Sequence, residues 1–368
     1  MARTIVGLND AKAVKKYSGL LAVDVATKSY FSRKFIGVGE SASAPIHQLN
    51  ELQNDAGEEI KFDLSMQMAM EPVEGDDTLE GKEEDLRFYT DSVYIDQMRC
   101  GVNGGGRMTR KRTLHNMRDI AKKRQSDWWA RMFDELMFMY LSGARGVNSS
   151  FILPTTYTGF ANNALSAPDS SHQWFAGGKT KGTLTADDKM DLNIIDVAKA
   201  NAEMMGGGTE GVPQIQPVKI EGEDHYVCTM SPWQEYDVRT DAGSTGWLEI
   251  QKALATSEGK NSPICKGGLG MYNNVVLHTH KNIVRFSDYG SGSNVAAARA
   301  LFLGDQAGVV AFGSPGTGIR FDWNEETRDN GNQVVISSNS IFGMKKVTFN
   351  GLDYGVMAID TAAAQPSA

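Results

Sequence analysis

Hydrophobic and polar residues alternate along residues 60–70, where Ile60, Phe62, Leu64, Met66, Met68 and Met70 are separated by Lys61, Asp63, Ser65, Gln67 and Ala69. A period of two puts one set of side chains on one face of an extended chain, so this stretch is predicted to be a β-strand. Residues 86–99 (LRFYTDSVYIDQMR) carry Phe88, Tyr89, Val93, Tyr94 and Ile95, types that suit a pleated surface. They predict a second strand, closing a long hairpin with the first. The apolar face of that hairpin is expected to find its cover on a neighbouring molecule, because an isolated two-stranded hairpin is marginal in water.

Helical spacing appears elsewhere. Val14, Tyr17, Leu21, Val25 and Phe31 predict an amphipathic helix or arm over residues 10–35, stopped by Gly37 and Gly39. Met117, Ala121, Trp128, Met132, Leu136 and Met139 predict a long helix over residues 116–141, opened by Asn116 and Asp119 as a capping pair. At 1.5 Å per residue it would run about 39 Å. A further helix is expected to open at Thr185 with Asp188, pass through Met190, Ile194, Ala198 and Met205, and close at Gly206–Gly208. Residues 148–184 are polar, Gly- and Pro-containing and aperiodic, and read as a long loop or small insertion. Beyond residue 222 the expected order is mixed: strands near 225–230 and 274–279, helices near 232–239, 247–255 and 296–303, then strands near 319–323, 334–336, 345–349 and 356–359.

Charge is distributed unevenly on this frame. The hairpin tip gathers Glu71, Glu74, Asp76, Asp77, Glu80, Glu83, Glu84 and Asp85 against Lys82 alone. It should project into water or toward something basic. Arg107, Arg110, Lys111, Arg112, Arg118, Lys122, Lys123 and Arg124, with Arg131 further on, form a basic run entering the long helix. Bases at a helix N-terminal end oppose its dipole, so an acidic partner is expected there.

The composition is ordinary for a globular chain of 368 residues, with 41% hydrophobic and 22% charged residues, and the length suggests two or three domains. No run is apolar enough to span a membrane, and the N-terminus lacks the apolar core of a signal peptide, so a soluble product made in the cytoplasm is expected. A formal net charge of −8 argues against a dedicated nucleic-acid binder and leaves room only for local contact with DNA. Cys100, Cys228 and Cys265 lack the spacing of a zinc knuckle or disulfide framework and read as buried thiols.

Catalytic signatures are weak. Gly178-Lys179-Thr180 lacks the earlier glycine of a phosphate-binding loop, since Gln173 stands there. His278 and His280 share one face of a probable strand but have no third ligand at suggestive spacing. There is no G-x-S-x-G, and the acidic tip lacks the order of a calcium loop. Trp128 and Trp129 fall at core spacing beside Met132, Phe133 and Leu136. No cofactor, metal or catalytic site is assigned.

The order of parts, namely N-terminal arm, long hairpin, long helix and mixed α/β region ending in strands, resembles the Hong Kong 97-type capsid fold, an α+β architecture. The segments GEEIKFDLSMQMAM, GDDTLEGKEEDLRFYTDSVYIDQMRCGV, RDIAKKRQSDWWARMFDELMFMYLSG, ARALFLGDQAGVVAFG and IFGMKKVTFNGLDYGVMAIDT look like the N-four-like family of phage major capsid proteins. The resemblance spans nearly the whole chain. It implies an N-arm over residues 1–50, an extended hairpin, the E-loop, over 51–102, and a peripheral domain over 103–222 with the long spine helix and the polar insertion 148–184. An axial domain over 223–325 and C-terminal strands over 326–368 that return to the peripheral domain complete the division.

On that resemblance the chain is a structural subunit of a tailed double-stranded DNA phage, self-assembling into pentamers and hexamers of an icosahedral shell. The E-loop would overlap a neighbouring copy, meeting the basic run, or the run would face packaged DNA without reading its sequence. Scaffold, decoration and portal proteins are further implied partners. The insertion reads as an exposed loop, a platform for a decoration protein or a contact between capsomers. The alternatives are a minor capsid or decoration component, or an α/β enzyme without a recognisable motif.

Overall fold

The computed structural model describes residues 11–39, 42–51, 57–65, 68, 70–86, 88–113, 115–205, 214–220, 222–240, 264, 268–314 and 320–366. Two large sheets organise them, with the long helix on the first. In the first sheet the strands Ile36–Val38, Ile46–Leu49, Gly308–Gly313, Gln333–Lys346 and Asp322–Arg328 follow one another, and Asp96–Asn103 pairs with the far side of Gln333–Lys346. That last strand is longer than the sequence pattern suggests: 334–336 and the start of 345–349 belong to one continuous strand. Its length lets it pair antiparallel with Gly308–Gly313, Asp322–Arg328 and Asp96–Asn103 together.

The long helix, Met117–Ser142, opens and closes where its caps dictate. The Asn116 side chain accepts from the Arg118 N–H, and Asn116 Nδ2 donates to Asp119 at 2.8 Å. At the other end Gly143 adopts φ 68°, and an added Cβ there would come within 2.0 Å of the Ser166 carbonyl oxygen. Only glycine fits both demands. Trp129 donates its indole N–H to Ser338 Oγ at 2.8 Å, and Gln125 Nε2 donates to the Ile336 carbonyl at 2.9 Å. Trp129, Phe133, Leu136 and Phe342 pack in the seam, so the tryptophan and its neighbours are core.

The second sheet runs Gly270–Tyr272, Val275–Thr279, Glu223–Met230, Val295–Leu303, Val356–Ala362, Gln173–Phe175, with Val218–Ile220 and Arg285–Tyr289 on side branches. The helix Leu192–Met204 packs Ile195, Ala198 and Ala202 against Tyr226, Cys228, Phe302 and Ile359 of this sheet. The segment expected as a helix at 296–303 is instead the strand Val295–Leu303. Its alanines favour helix locally, but it is central in the sheet and, apart from Arg299, apolar on both faces, a pattern that periodicity cannot separate from a buried helix.

Other boundaries shift for local reasons. The arm is two helices, Ala11–Lys28 and Tyr30–Lys34, because Ser29 leaves helical geometry and caps the second. The hairpin's first strand ends at Ser65, and its second breaks at Ile95 into Phe88–Tyr94 and Asp96–Asn103. The helix expected from Thr185 begins at Leu192 under Asp191, while Thr185 and Asp188 close a turn. The basic run does not merge directly into the long helix but forms its own short helix, Arg107–Arg112. The expected helix at 247–255, the stop at Gly206–Gly208, Met66 and Cys265 lie outside the described residues. Cys228 is buried and its thiol is pushed up to about 12 by burial, whereas Cys100 is half-buried.

Topology also cuts across the sequence partition. Gly308–Gly313, inside 223–325, belongs to the first sheet, and Val356–Ala362, inside 326–368, belongs to the second. The polar stretch 148–184 is an ordered strut between the sheets. Ser166 O accepts from Lys346 Nζ at 3.1 Å, and the Asp353 N–H donates to Asp169 Oδ2 at 2.7 Å. Gln173–Phe175 runs parallel to Val356–Ala362, and Gln173 Nε2 donates to Asp360 at 2.7 Å. Asp360 also pairs with Arg299 through 2.7 and 2.8 Å contacts and accepts from the Tyr289 hydroxyl at 2.9 Å. Arg299 Nη1 reaches the Ser142 carbonyl at 2.7 Å, joining this buried network to the end of the long helix.

Candidate functional site

The hairpin arm is rooted in its own chain and projects beyond it. Seven register pairs, from Glu59↔Tyr94 to Ser65↔Phe88, join its strands. At the root Ile60 and Val93 are buried with Leu49, Val309, Phe349 and Tyr354, and Phe62 meets the Phe349 ring edge-on at 5.9 Å. Asp91 fastens the same end. It is buried, ion-paired with Lys345, and accepts from the Thr348 N–H at 3.0 Å.

The expectation of one continuous apolar face covered by a neighbour therefore needs correcting. Ile60 is buried and Phe62 partly buried against the chain's own first sheet, because the strand leaves that sheet at Ile95 and packs back on Leu49, Val309 and Ala311. Further out, Met68 and Met70 lie past the end of the strand, and Met68, Leu79, Leu86 and Phe88 are exposed. The side chain of Leu64 lies outside the described residues. Between these apolar groups Glu71, Glu74, Asp76, Asp77, Glu80, Glu83 and Asp85 are exposed and Glu84 is partly so. Turns at Gly75 (φ 62°) and Gly81 (φ 86°) shape the tip. Where the arm leaves the body, Glu58, Tyr94, Asp96, Asn162 and Ser314 line part of a cavity of about 510 Å³.

The basic run divides into parts with different jobs. Arg107 Nε donates to the Gly331 carbonyl at 3.3 Å and Arg110 Nη2 to the Asn332 carbonyl at 3.0 Å, holding the turn after Asp322–Arg328. Arg118 pairs with buried Glu325 at 2.5 Å, Lys122 with Asp24 at 3.5 Å and Arg124 with Asp127 at 3.9 Å. Asp119 in the first turn, with Glu325 against Arg118, supplies the acidic compensation that the helix dipole calls for. Lys111, Arg112 and Lys123 are exposed. A cavity of about 250 Å³ opens among Arg110, His115, Asn116 and Arg118, at the entrance to the long helix.

The residues weighed for chemistry are engaged structurally. Lys179 is tied to Asp188 at 2.7 Å, and His278 Nε2 donates to the Ile264 carbonyl at 2.7 Å. His280 stacks on Phe138 with ring centroids 4.8 Å apart. Among the described residues no cluster of His, Cys, Asp or Glu is placed to hold a metal ion. Sequence reading missed the buried Arg299–Asp360 and Lys346–Asp353 pairs, which have no short-range signature because their partners lie far apart in the chain or across a strand end.

A spine helix laid across one sheet, a second sheet with its own helix and an acidic hairpin give the architecture of the Hong Kong 97-type capsid fold. The sequence matches the family described as phage capsid protein over residues 5–365, and the chain belongs to that family, which is structural rather than enzymatic. It is 25% identical over 366 residues to the major capsid protein of Pseudomonas phage KPP25, covering 92% of each chain. The capsid of Ralstonia phage GP4 superimposes with a TM-score of 0.87 at 50% identity, covering 100% of both chains. The capsid asymmetric unit of cyanophage Pam1 gives a TM-score of 0.71 at 19% identity over 93% of this chain and 94% of that one, a likeness of fold.

Proposed function

We propose that this chain is the major capsid protein of a tailed double-stranded DNA phage, building a closed icosahedral shell from pentamers and hexamers of itself. The observation that carries the reading is full-length likeness, at 50% identity, to the GP4 capsid. Within the shell, residues 51–102 act as the E-loop, with the N-arm and the spine-helix side peripheral and the second-sheet side facing the capsomer axes. Purified, expressed chain examined by electron microscopy should show closed shells or capsomers; a monodisperse small oligomer that never assembles speaks for a minor component instead.

The outer part of the hairpin mixes carboxylates with exposed Leu79, Leu86 and Phe88, and the entrance of the long helix mixes bases with exposed Met108 and Ile120. This complementarity supports docking of one copy's acidic tip on another's run of Arg107, Arg110, Lys111, Arg112, Arg118, Lys122, Lys123 and Arg124. Single exposed pairs contribute only about 0–1 kcal/mol, so the apolar groups and the repetition around a shell supply the rest. Reversing Glu80, Glu83 and Glu84 to lysine should abolish assembly or invert its salt dependence. Assembly that proceeds unchanged leaves the run to packaged DNA.

A further inference from the structure

We propose that the ring cluster of Tyr30, Phe35, Phe138, His278 and His280 is an acid-released latch that fastens the N-terminal helical arm to the body of the subunit. Tyr30 and Phe35 belong to the arm, Phe138 to the long helix, and the histidines to the second sheet and the turn after it. The Tyr30 ring lies 4.6 Å from His280 and 6.1 Å from His278, Phe35 meets His278 edge-on at 5.2 Å, and Phe138 stacks on His280 at 4.8 Å with 19° between planes. Arm, helix and sheet therefore meet through two titratable rings.

Both imidazoles are built in as neutral groups. His278 is fully buried and uses Nε2 to donate to the Ile264 carbonyl, while its Nδ1 has no hydrogen-bond partner. A second proton would create an unpaired buried N–H. His280 uses Nδ1 to accept the Asn282 N–H at 3.2 Å, so protonation there turns an acceptor into a donor facing a donor. Lys34 of the arm and Lys281 beside the turn add positive charge around the rings. From the neighbouring strand Thr229, in register with His278, faces the cluster region with its Oγ1 buried and unpartnered, while the neutral Cys228 thiol lies on the opposite face of the sheet. The oxygens nearest the rings, Thr229 Oγ1 and the buried Tyr30 hydroxyl, are neutral hydroxyls, so no carboxylate balances a new positive charge there.

Asp134 of the long helix is a buried acid against the arm, and its oxygens already accept hydrogen bonds. They accept from Ser29 Oγ at 2.8 Å, the Tyr30 N–H at 3.0 Å and the Phe31 N–H at 3.3 Å. Burial, reinforced by Lys34, lowers His278 and His280 to about 4 from 6.5. A depressed imidazole stabilises the docked arm above 6.5 and withdraws that stability as pH falls toward 4. Burial raises Asp134 to about 6 from 3.8, which acts oppositely over that window, but it is one carboxyl against two imidazoles. The ion pairs Lys28–Asp127 and Lys122–Asp24 are partly exposed and hold the arm only weakly. Leu21, Val25 and Phe31 keep it docked near neutrality.

The test is amide hydrogen exchange, corrected for intrinsic rates, on the full chain before and after assembly from pH about 7.5 to about 4. Protection of residues 11–35 should fall about tenfold or more below pH about 6, while Val295–Leu303 and Val356–Ala362 stay protected. The double variant His278→Gln, His280→Phe keeps a donor for Ile264 and a ring on Phe138, and its arm should hold through the same range. Lys34→Met, in an otherwise unchanged chain, should shift the release to lower pH. An arm that opens only when the second sheet unfolds overturns the latch, as does a release unmoved in both variants.

Discussion

Asp91, on the returning strand of the hairpin, is ion-paired with Lys345 near the end of the longest of the described strands, and both are largely removed from solvent. The arm is thus hinged at a charge pair, while its apolar root is sealed by Ile60 and Val93. Asp91→Asn or Lys345→Met leaves a partner charge behind, at a cost of about 3 kcal/mol. Hydrogen exchange should then show Glu59–Ser65 and Phe88–Tyr94 losing protection while the long helix keeps it. Equal loss throughout would mean that the pair supports the whole fold rather than the arm.

Arg299 and Asp360 sit back to back with Tyr289 and Gln173 in the middle of the second sheet. Replacing either alone, as in Arg299→Met or Asp360→Asn, should destabilise the chain by about 3–5 kcal/mol in denaturant melts. Changing both to apolar residues should cost less than the sum of the single losses. Additive losses in that double-mutant cycle would argue that the two side chains act independently.

Gly143→Ala should destabilise by about 2 kcal/mol or more, because it adds strain at φ 68° to a clash with the Ser166 carbonyl. Thermal melting reads the cost directly. A near-neutral result would show that the strut at 148–184 can move away from the helix end.

With the histidine latch removed, Asp134 becomes the dominant titrating group at the arm. Its carboxyl is raised to about 6 by burial, so the folded state holds more protons than the unfolded one between roughly 4 and 6. Arm docking in His278→Gln, His280→Phe should therefore strengthen on acidification through that window. Adding Asp134→Asn should flatten the dependence; a slope that survives it would point to another group.

Much of this protein was readable in the order of its residues. The long helix is set by local chemistry, the Asn116 cap, the apolar stripe and the Gly143 stop, and it falls within a residue of its expected bounds. The hairpin is likewise local, since alternation and the acidic tip lie within one stretch of chain, and the order of these elements sufficed to indicate the capsid fold. Tertiary structure decided what depends on burial across distant segments. Val295–Leu303 is a strand because two neighbours pair with it, overriding alanine's preference for helix. Ile60 turns to its own chain because Asp91 meets Lys345, a pairing that spans the sequence. Residues 148–184 look like loose polar loop until Ser166, Asp169 and Gln173 find partners on both sheets. The sequence alone specified local propensity and charge; which polar groups are buried, and against what, is fixed only when distant strands exclude water together.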